Sequence, residues 1–376
     1  MSALQQEDGS CAGTAAHGGG DETPGMALLA ACAVGDVVAV RALLEGGGVA
    51  AAHQDDASGE SALMRAAGAG RVDVVRQLLE RGAPWNALDR RGRCAGDHAM
   101  AAQSQPCVDA LVEAGVRAQL LFGLLEESGD VEGATTDDRS AVQYLASKAA
   151  FDDAGETLLD AGGDAVMMEW ERPLMNAHAD LLLGKFPHTA SEPFRENDRL
   201  SVCNVGHGLG IVDGYIWAGG GDRLAKHTIV EPHPDVLARM GAWRAKSNVA
   251  VAASTWRAAL DDPNFGPFDG IFFDTYAETY ADMRDFFRAL PRLLKRGGVF
   301  SYFNGVAPFN TFFHGVACQL IKTELESLGF ETDFVPLKVE QLDETTWDGV
   351  KRRYWQFDSY HLPVVTWKPE AAASDP

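Results

Sequence analysis

Two acidic positions, about a hundred residues apart, carry residue types that suit a planar cation. The segment Val166–Met175 reads Val-Met-Met-Glu-Trp-Glu-Arg-Pro-Leu-Met, which is dense in methionine, tryptophan and acid for a linker. Another acid, Asp274, follows the apolar run Gly270–Phe273. Carboxylates such as Glu171 and Asp274 can each accept paired N–H donors of a guanidinium in a fork geometry. Methionine sulfur and a tryptophan ring offer polarisable contacts to a sulfonium and an adenine. These residue types predict a guanidinium site beside a sulfonium-bearing nucleoside.

A glycine-rich loop is the second candidate ligand site. The run Asn204–Gly210 reads Asn-Val-Gly-His-Gly-Leu-Gly and follows a predicted strand. Glycine permits a tight turn and a close approach of the backbone to a ligand, and the helix that follows offers unpaired N–H groups. Glu231 lies 25 residues beyond Gly206, at the end of the next predicted strand. A carboxylate there can accept both ribose hydroxyls of a nucleoside. NAD and S-adenosyl-L-methionine (SAM) would use the same two features, so these features alone do not separate them.

The elements that must position these residues alternate between strand and helix. This alternation begins at residue 199 and predicts a parallel, doubly wound α/β sheet with ligands at the carboxyl ends of its strands. The last two strands have no clear helix between them, which predicts a closing antiparallel pair. Seven strands with this ending resemble the class I, Rossmann-like sheet of SAM-dependent methyltransferases. The predicted strands are Leu200–Val205, His227–Glu231, Val249–Ala253, Gly270–Asp274, Val299–Phe303, Asp333–Val339 and Leu362–Trp367. The predicted helices are about Gly210–Trp217, Asp235–Ala245, Tyr280–Lys295 and Thr311–Leu328.

A helix-pair pattern recurs three times between residues 28 and 115. Leu44 and Leu79 are 35 residues apart, and Gly82 and Gly115 are 33 apart. This spacing matches the ankyrin period of about 33 residues, and small residues at the helix contacts let neighbouring pairs stack. The sequence therefore predicts an all-α ankyrin-repeat module. Such a module either presents a concave face to a protein partner or only stabilises the domain that follows it.

These patterns divide the chain into five predicted segments. The first is Gly/Ala-rich and acidic without an apolar core, so we expect a disordered segment and not a signal peptide. The connector is predicted to be helical over Gln119–Leu125 and Ala141–Leu159, with an acidic loop, Glu126–Arg139, between them. The predicted segments are 1–24 disordered, 25–118 ankyrin-like repeats, 119–165 helical connector, 166–369 methyltransferase domain and 370–376 disordered tail.

Composition narrows the range of partners. The 376 residues carry a formal net charge of −22, which repels phosphate backbones and anionic lipids, so we expect neither nucleic acid nor a membrane as partner. Such acidity attracts basic proteins. The alternative interpretation is that it only aids solubility. The six cysteines have no CxxC spacing, so we expect no metal site and no disulfide framework. Reduced thiols favour the cytoplasm and the nucleus as location.

The combined motifs resemble guanidinoacetate N-methyltransferase and, more closely, the fungal-type arginine N-methyltransferases that modify the internal (δ) nitrogen of protein arginine. The resemblance covers about residues 141–368. Ankyrin-like repeats ahead of the domain favour the protein-arginine branch. The blocks that carry the resemblance are Val166–Met175, Asn204–Gly210, Glu231–Asp235, Gly270–Tyr276 and Gly297–Asn304.

The resemblance implies a role for individual residues. Glu171 and Asp274 match the acids that bind the guanidino group, with Asp274 as proton acceptor and Glu171 as the orienting clamp. Glu169 is the alternative acid of the same segment. Trp256 would pack near adenine, and His207 is expected to pack in the loop without a catalytic role. The residues implied for SAM contact are Tyr144, Met167, Met175, Gly206, His207, Gly208, Leu209, Gly210, Ile211, Glu231, Pro232, His233, Thr255, Trp256 and Asp274.

Three functions remain open at this point. The preferred one is SAM-dependent monomethylation of the δ nitrogen of arginine by a monomeric enzyme, with basic, ribosomal-type proteins as plausible substrates. The second is methylation of a small guanidine, for which the loop Asn304–Ala307 is decisive, because the matching backbone amides of the small-molecule enzyme bind a free carboxylate. The third is a catalytically silent ankyrin adaptor, against which the joint presence of Gly206, Glu231, Glu171 and Asp274 argues.

Overall fold

The computed structural model describes residues 23–128, 138–186, 199–340 and 342–368. Residues 1–22 and 370–376 of the predicted disordered ends, and 129–137 of the predicted acidic loop, lie outside the described residues. The chain divides into two compact units between Gly115 and Val116, and each is described by itself.

The first unit is built from pairs of short helices that repeat along the chain. Local caps fix their starts: the Asp36 side chain accepts the Ala39 N–H at 2.9 Å, and the Ser61 hydroxyl accepts the Met64 N–H at 3.1 Å. Ala66 and Ala67 are fully buried, so small side chains permit the close stacking that the sequence predicts. The ankyrin assignment is confirmed. The helices are α1 (Pro24–Val34), α2 (Val37–Glu45), α3 (Ala62–Gly68), α4 (Val72–Glu80), α5 (Ala95–Ala101) and the start of α6 (Gln105–Ser128), whose residues from Val116 onward belong to the second unit.

A small antiparallel sheet follows where the sequence predicts a longer helix. The predicted helix Ala141–Leu159 is wrong beyond Ala146, because Gly155 adopts φ +75° and Asp152 accepts the Glu156 N–H at 2.7 Å, which closes a turn. A 3-10 turn, Glu169–Glu171, then leads into a helix that the sequence does not predict. The elements are α7 (Asp138–Ala146), β1 (Ala150–Phe151), β2 (Thr157–Leu159), β3 (Ala165–Met168) and α8 (Arg172–Leu182).

The second unit contains the predicted seven-stranded sheet. Its strand order is β6-β5-β4-β7-β8-β10-β9, with β4 to β8 parallel and β10 antiparallel to both of its neighbours. The predicted α/β fold class and closing antiparallel pair are therefore confirmed. The strands are β4 (Leu200–Val205), β5 (Leu224–Val230), β6 (Val249–Ala252), β7 (Phe268–Phe273), β8 (Leu294–Tyr302), β9 (Phe330–Lys338) and β10 (Ser359–Trp367).

Helices cover both faces of this sheet. Successive strand residues point to opposite faces, so Val202 and Phe272 pack with α8 on one face, whereas Cys203 and Phe273 pack with the aromatic residues of α13 on the other. The predicted helix Asp235–Ala245 is two short helices. The remaining helices are α9 (Ile211–Gly220), α10 (Pro234–Arg239), α11 (Gly241–Arg244), α12 (Trp256–Leu260), α13 (Tyr280–Leu293) and α14 (Thr311–Ser327). No helix among the described residues is long and apolar enough to cross a bilayer.

Candidate active site

A cavity of about 420 Å³ opens at the carboxyl ends of β4, β5, β7 and β8. This is the edge at which a doubly wound sheet binds its ligands. Ten of the residues singled out from the sequence line it together: Tyr144, Met167, Glu171, Gly206, Gly208, Glu231, Pro232, Thr255, Trp256 and Asp274.

Gly206 follows β4 and packs against the backbone of Asp274, which follows β7. Its φ is +98°, a conformation that side chains with a Cβ rarely adopt. A Cβ at this position would also lie 1.8 Å from the carbonyl oxygen of Asp274. The loop therefore requires glycine both for its backbone angle and for its contact with β7. One consequence is that the loop backbone and Asp274 border the same part of the cavity.

Glu231 lies directly after β5 and is buried. Its carboxylate accepts the His207 N–H at 2.9 Å and the His233 N–H at 2.6 Å. These bonds from the neighbouring backbone hold the carboxylate at the carboxyl edge of the sheet, where the sequence predicts contact with a ribose.

A buried polar network supports the glycine loop from below. Asp213 in α9 is fully buried and accepts hydrogen bonds from the Asn204 side chain at 2.8 Å and from His207 Nδ1 at 2.6 Å. His227 Nε2 lies 2.8 Å from the other oxygen of Asp213. Burial opposes ionisation of Asp213, but the two histidines outweigh it and lower its pKa. Asn204 also donates to the Gly206 carbonyl at 2.8 Å, so the network fixes the loop backbone.

The two acids of the Glu-Trp-Glu segment face opposite ways. The Glu169 carboxylate is partly exposed and pairs with Arg172, whose Nη2 lies 2.7 Å from it. Glu171 is only 3% exposed and lines the cavity. Its Oε1 accepts the Met168 N–H at 3.1 Å and a short hydrogen bond from the Tyr354 hydroxyl. The inward acid is therefore Glu171.

Asp274 shares the cavity with Glu171. Its backbone N–H donates to the Val205 carbonyl at 2.9 Å, which fixes it beside the glycine loop. Burial raises the pKa of both carboxyls, and the Asp274 charge adds to the shift of Glu171. No Arg or Lys side chain lines the cavity among the described residues. Two acids, one buried and one partly buried, that face one space without a cation between them form a site that favours a cationic ligand.

Part of the cavity wall is formed by the aromatic residue Trp256 and its hydrogen-bond partners. Thr255 caps α12, and Trp256 begins the helix with its ring in the cavity wall. The Trp256 Nε1–H donates to Glu278 at 2.8 Å, and the Thr275 hydroxyl donates to the same carboxylate at 2.6 Å. Burial raises the pKa of Glu278. These bonds fix the plane of the indole ring.

Tyr144 closes another side of the cavity. Its ring centroid lies 4.5 Å from that of His233 and 4.9 Å from that of Tyr276. The Tyr276 hydroxyl in turn donates to Asp160, in the turn between β2 and β3, at 3.0 Å. Segments from four parts of the second unit therefore meet around this wall.

Six predicted cofactor residues do not line the cavity. Met175 is fully buried in the core beneath α8, and His207 is turned toward Asp213. The six are Met175, His207, Leu209, Gly210, Ile211 and His233. Conversely, sequence reasoning missed several lining residues, of which Tyr354 and Glu278 contact predicted site residues directly. Neither has a local motif, although Glu278 lies only four residues after Asp274.

Comparisons with known proteins match both units. Residues 27–121 match the ankyrin repeat family in three copies, and residues 134–314 match the guanidinoacetate N-methyltransferase family. A solved complex of a predatory endopeptidase from Bdellovibrio bacteriovorus with an immunity protein is 28% identical over 24% of this chain and 46% of that one. Its TM-score of 0.23 is too low to support an inference.

Curated relatives carry one shared name, protein arginine N-methyltransferase 2. The protein of Aspergillus oryzae is 34% identical over 75% of this chain and 75% of its own length. The Saccharomyces cerevisiae protein is 30% identical over 76% of this chain and 75% of its own length. The Yarrowia lipolytica protein is 36% identical over 60% of this chain, and the match spans 47% of that relative. The chain therefore belongs to the protein arginine N-methyltransferase 2 family, a family of methyltransferases.

Proposed function

We propose that this chain is a SAM-dependent enzyme that transfers a single methyl group to the δ nitrogen of arginine in protein substrates. The observation that carries the proposal is the pair of acids, the buried Glu171 and the partly buried Asp274, in one cavity with the glycine loop. The relatives' name supports arginine as the substrate, and the match to guanidinoacetate N-methyltransferase supports chemistry on a guanidino group.

The residues at the glycine loop fit SAM. Gly206 packs against the backbone of Asp274, and its lack of a side chain exposes the loop backbone to the cavity. Glu231 would hold the ribose, Trp256 would pack against adenine, and Met167 would offer its polarisable sulfur to the sulfonium. When bound, SAM supplies the methyl group.

The acid pair would bind and deprotonate the guanidinium. An arginine side chain is protonated in solution and is therefore a poor nucleophile. Ionised Glu171 and Asp274 would hold it in one orientation, and Asp274 would accept the proton that leaves the reacting nitrogen. In guanidinoacetate the methylated nitrogen is the one bonded to the carbon chain. The corresponding nitrogen of arginine is the δ nitrogen, and this correspondence supports the proposed position.

Two backbone amides of the loop after β8 already have hydrogen-bond partners within the chain. The Asn304 N–H donates to the Tyr360 hydroxyl at 2.8 Å, and the Gly305 N–H donates to the Phe303 carbonyl at 3.0 Å. Neither amide is therefore free to bind the carboxylate of a small guanidino acid. The net charge of −22 and the ankyrin repeats support a basic protein as partner. We also propose that the enzyme is a monomer of the cytoplasm and nucleus, bound to neither nucleic acid nor membrane.

The proposal is tested by the position of the methyl group in the product. A basic arginine-containing protein is incubated with the enzyme and isotope-labelled SAM, with guanidinoacetate in a parallel reaction. We expect label on the protein, and fragmentation of the product should place one methyl on the internal nitrogen. A terminal methyl would refute the δ assignment. Label on guanidinoacetate alone would support the small-guanidine alternative, and no label on either would support the silent adaptor.

A further inference from the structure

Tyr354 reaches the acid pair from a distant part of the chain. It lies in the connection between β9 and β10, and it lines the cavity. Its hydroxyl accepts the Trp170 Nε1–H at 2.9 Å. Since a phenol has a single proton, that proton is the one donated to Glu171 Oε1. The Trp170 ring, between the two acids of its turn, therefore fixes the direction in which Tyr354 donates.

This arrangement makes the two oxygens of Glu171 unequal. Oε1 already accepts two hydrogen bonds, from the Met168 N–H and from Tyr354. Oε2 has no hydrogen bond from any described residue. A carboxylate held in this way offers one oxygen to a ligand, so Glu171 can accept one N–H of a guanidinium in place of the two that a fork requires.

We propose that Tyr354 is a positioning residue that holds Oε1 of Glu171, stabilises the charged form of the carboxyl and leaves Oε2 for the guanidinium. The inference rests on the proposed function for its effect on turnover. Its effect on the Glu171 carboxyl does not depend on which substrate is methylated.

The connection that carries Tyr354 is held against the β2–β3 turn. Nε and Nη2 of Arg352 donate to Asp164, at 2.8 and 2.6 Å, and the Lys351 N–H donates to the Gly163 carbonyl at 2.8 Å. These contacts with the β2–β3 turn therefore help to set the position of the Tyr354 hydroxyl. Glu171 has its single orientation only while the connection is docked.

The charge on Glu171 depends on the groups that face it. These are Asp274, at the end of β7, and the hydroxyls of Tyr354 and Tyr360. Burial and Asp274 raise the pKa of Glu171, whereas the hydrogen bond from Tyr354 lowers it, because a donor stabilises the charged form. Tyr360 donates to the Tyr302 carbonyl and bonds to His178, so it does not replace Tyr354. Removal of the Tyr354 hydroxyl must therefore raise the pKa of Glu171.

The first experiment follows the carboxyl groups and needs no substrate. Infrared titration of the full chain gives the ionisation midpoint of Glu171, which is identified by the band that Glu171→Gln removes. In Tyr354→Phe we expect this midpoint to move to higher pH by about one unit, the shift that corresponds to a hydrogen bond to a charged group. Tyr215→Phe is the matched control, since Tyr215 lies on α9 outside the cavity. An unchanged midpoint in Tyr354→Phe would overturn the proposal.

The second experiment measures turnover on the arginine-containing substrate. Tyr354→Phe should lower kcat about 10- to 100-fold, move the acid limb of the pH–rate profile upward and leave the SAM affinity unchanged. In the Glu171→Gln background the same substitution should cause no further loss. An equal loss in both backgrounds would show that Tyr354 acts only on stability and would refute the positioning role. If the wild type methylates no arginine, the proposed function fails, while the infrared titration still decides whether Tyr354 positions Glu171.

Discussion

Acidic side chains in two parts of the second unit differ in what surrounds them. Asp213, under the glycine loop, has hydrogen bonds from Asn204 and His207 and a second histidine within 2.8 Å. Glu171 and Asp274 face each other's charge, and no basic side chain lines their cavity among the described residues. The pKa of Asp213 is lowered, whereas the pKa values of Glu171 and Asp274 are raised.

The contrast separates an acid that stabilises the fold from acids arranged for a ligand. A buried carboxylate is stable as an ion only when donors and positive charge surround it. For Asp213 the chain supplies hydrogen-bond donors and two imidazole rings that stabilise its ionised form. For Glu171 and Asp274 the chain supplies hydrogen bonds to one of the two and positive charge to neither. A cationic ligand would complete the second group but has no place in the first.

The largest effect is expected when the acid pair is broken. Asp274→Asn keeps the shape of the side chain but removes its charge and its capacity to take a proton. We expect turnover on an arginine-containing protein to fall about 10²–10⁴-fold, the range for a lost general base, with the SAM affinity little changed. Steady-state kinetics and calorimetry test this. A turnover within threefold of the wild type would show that Asp274 is not the proton acceptor.

The second effect concerns the fold. Asp213→Asn should lower the free energy of unfolding by about 1–3 kcal/mol, because the amide offers one acceptor oxygen where the carboxylate offers two, which leaves a buried hydrogen-bond donor without its partner. The folded pKa of Asp213 is lowered, so its contribution is present above the unfolded value of about 3.9 and is lost as the pH falls through the folded pKa. The loss in Asp213→Asn should therefore be largest near neutral pH and shrink in acid. Chemical denaturation over a pH series measures it, and the exposed Asp222→Asn is the control.

A third effect has the opposite sign. A raised carboxyl pKa means that the native state holds its proton at a pH where the unfolded chain has released it, so stability falls as the pH rises between the two values. Above about pH 8, Asp274→Asn should be more stable than the wild type, by about 1.4 kcal/mol for each unit by which the pKa is raised. Thermal unfolding without ligand tests this prediction. A variant less stable than the wild type at high pH would mean that Asp274 belongs to the stabilising group.

The smallest effect is expected at Glu169. Its carboxylate is partly exposed and pairs with Arg172 at the surface, and such pairs contribute at most about 1 kcal/mol. Glu169→Gln should therefore change turnover less than threefold, whereas Glu171→Gln should lower turnover and raise the apparent substrate constant. The reverse result would place the guanidinium on the other acid of the turn.

The sequence predicts the parts of this site that have a local signature. Glycines at a strand end, an acid after the next strand and an acid after β7 all follow from strand edges, so Gly206, Glu231 and Asp274 line the cavity as expected. Met175 has a side chain suited to contact with SAM, but its position on α8 places it in the core. The orientation of Glu169 and Glu171 depends on a 3-10 turn, which residue spacing does not reveal.

Other parts of the site depend on contacts between distant segments. Tyr354 meets Glu171 only because β10 brings its preceding connection back over the sheet, and no pattern near residue 354 indicates this. The error over 147–159 has a local cause: Gly155 and Asp152 close a turn within a stretch that is otherwise compatible with a helix. The apolar spacing there is compatible with a helix, but the turn conformation of Gly155 and the Asp152 hydrogen bond end any helix in this stretch.

The contact between Gly206 and the Asp274 carbonyl also limits which mutations the chain can tolerate. Any side chain at position 206 would displace the backbone of the residue proposed as base, since even a methyl group would lie 1.8 Å from that carbonyl oxygen. In a library of all single substitutions, position 206 should accept no replacement that retains activity. Gly214 has no atom near the space that a Cβ would fill, so it should accept alanine. The cofactor loop and the proposed base cannot diverge separately at this point, because a change in either backbone requires a matching change in the other.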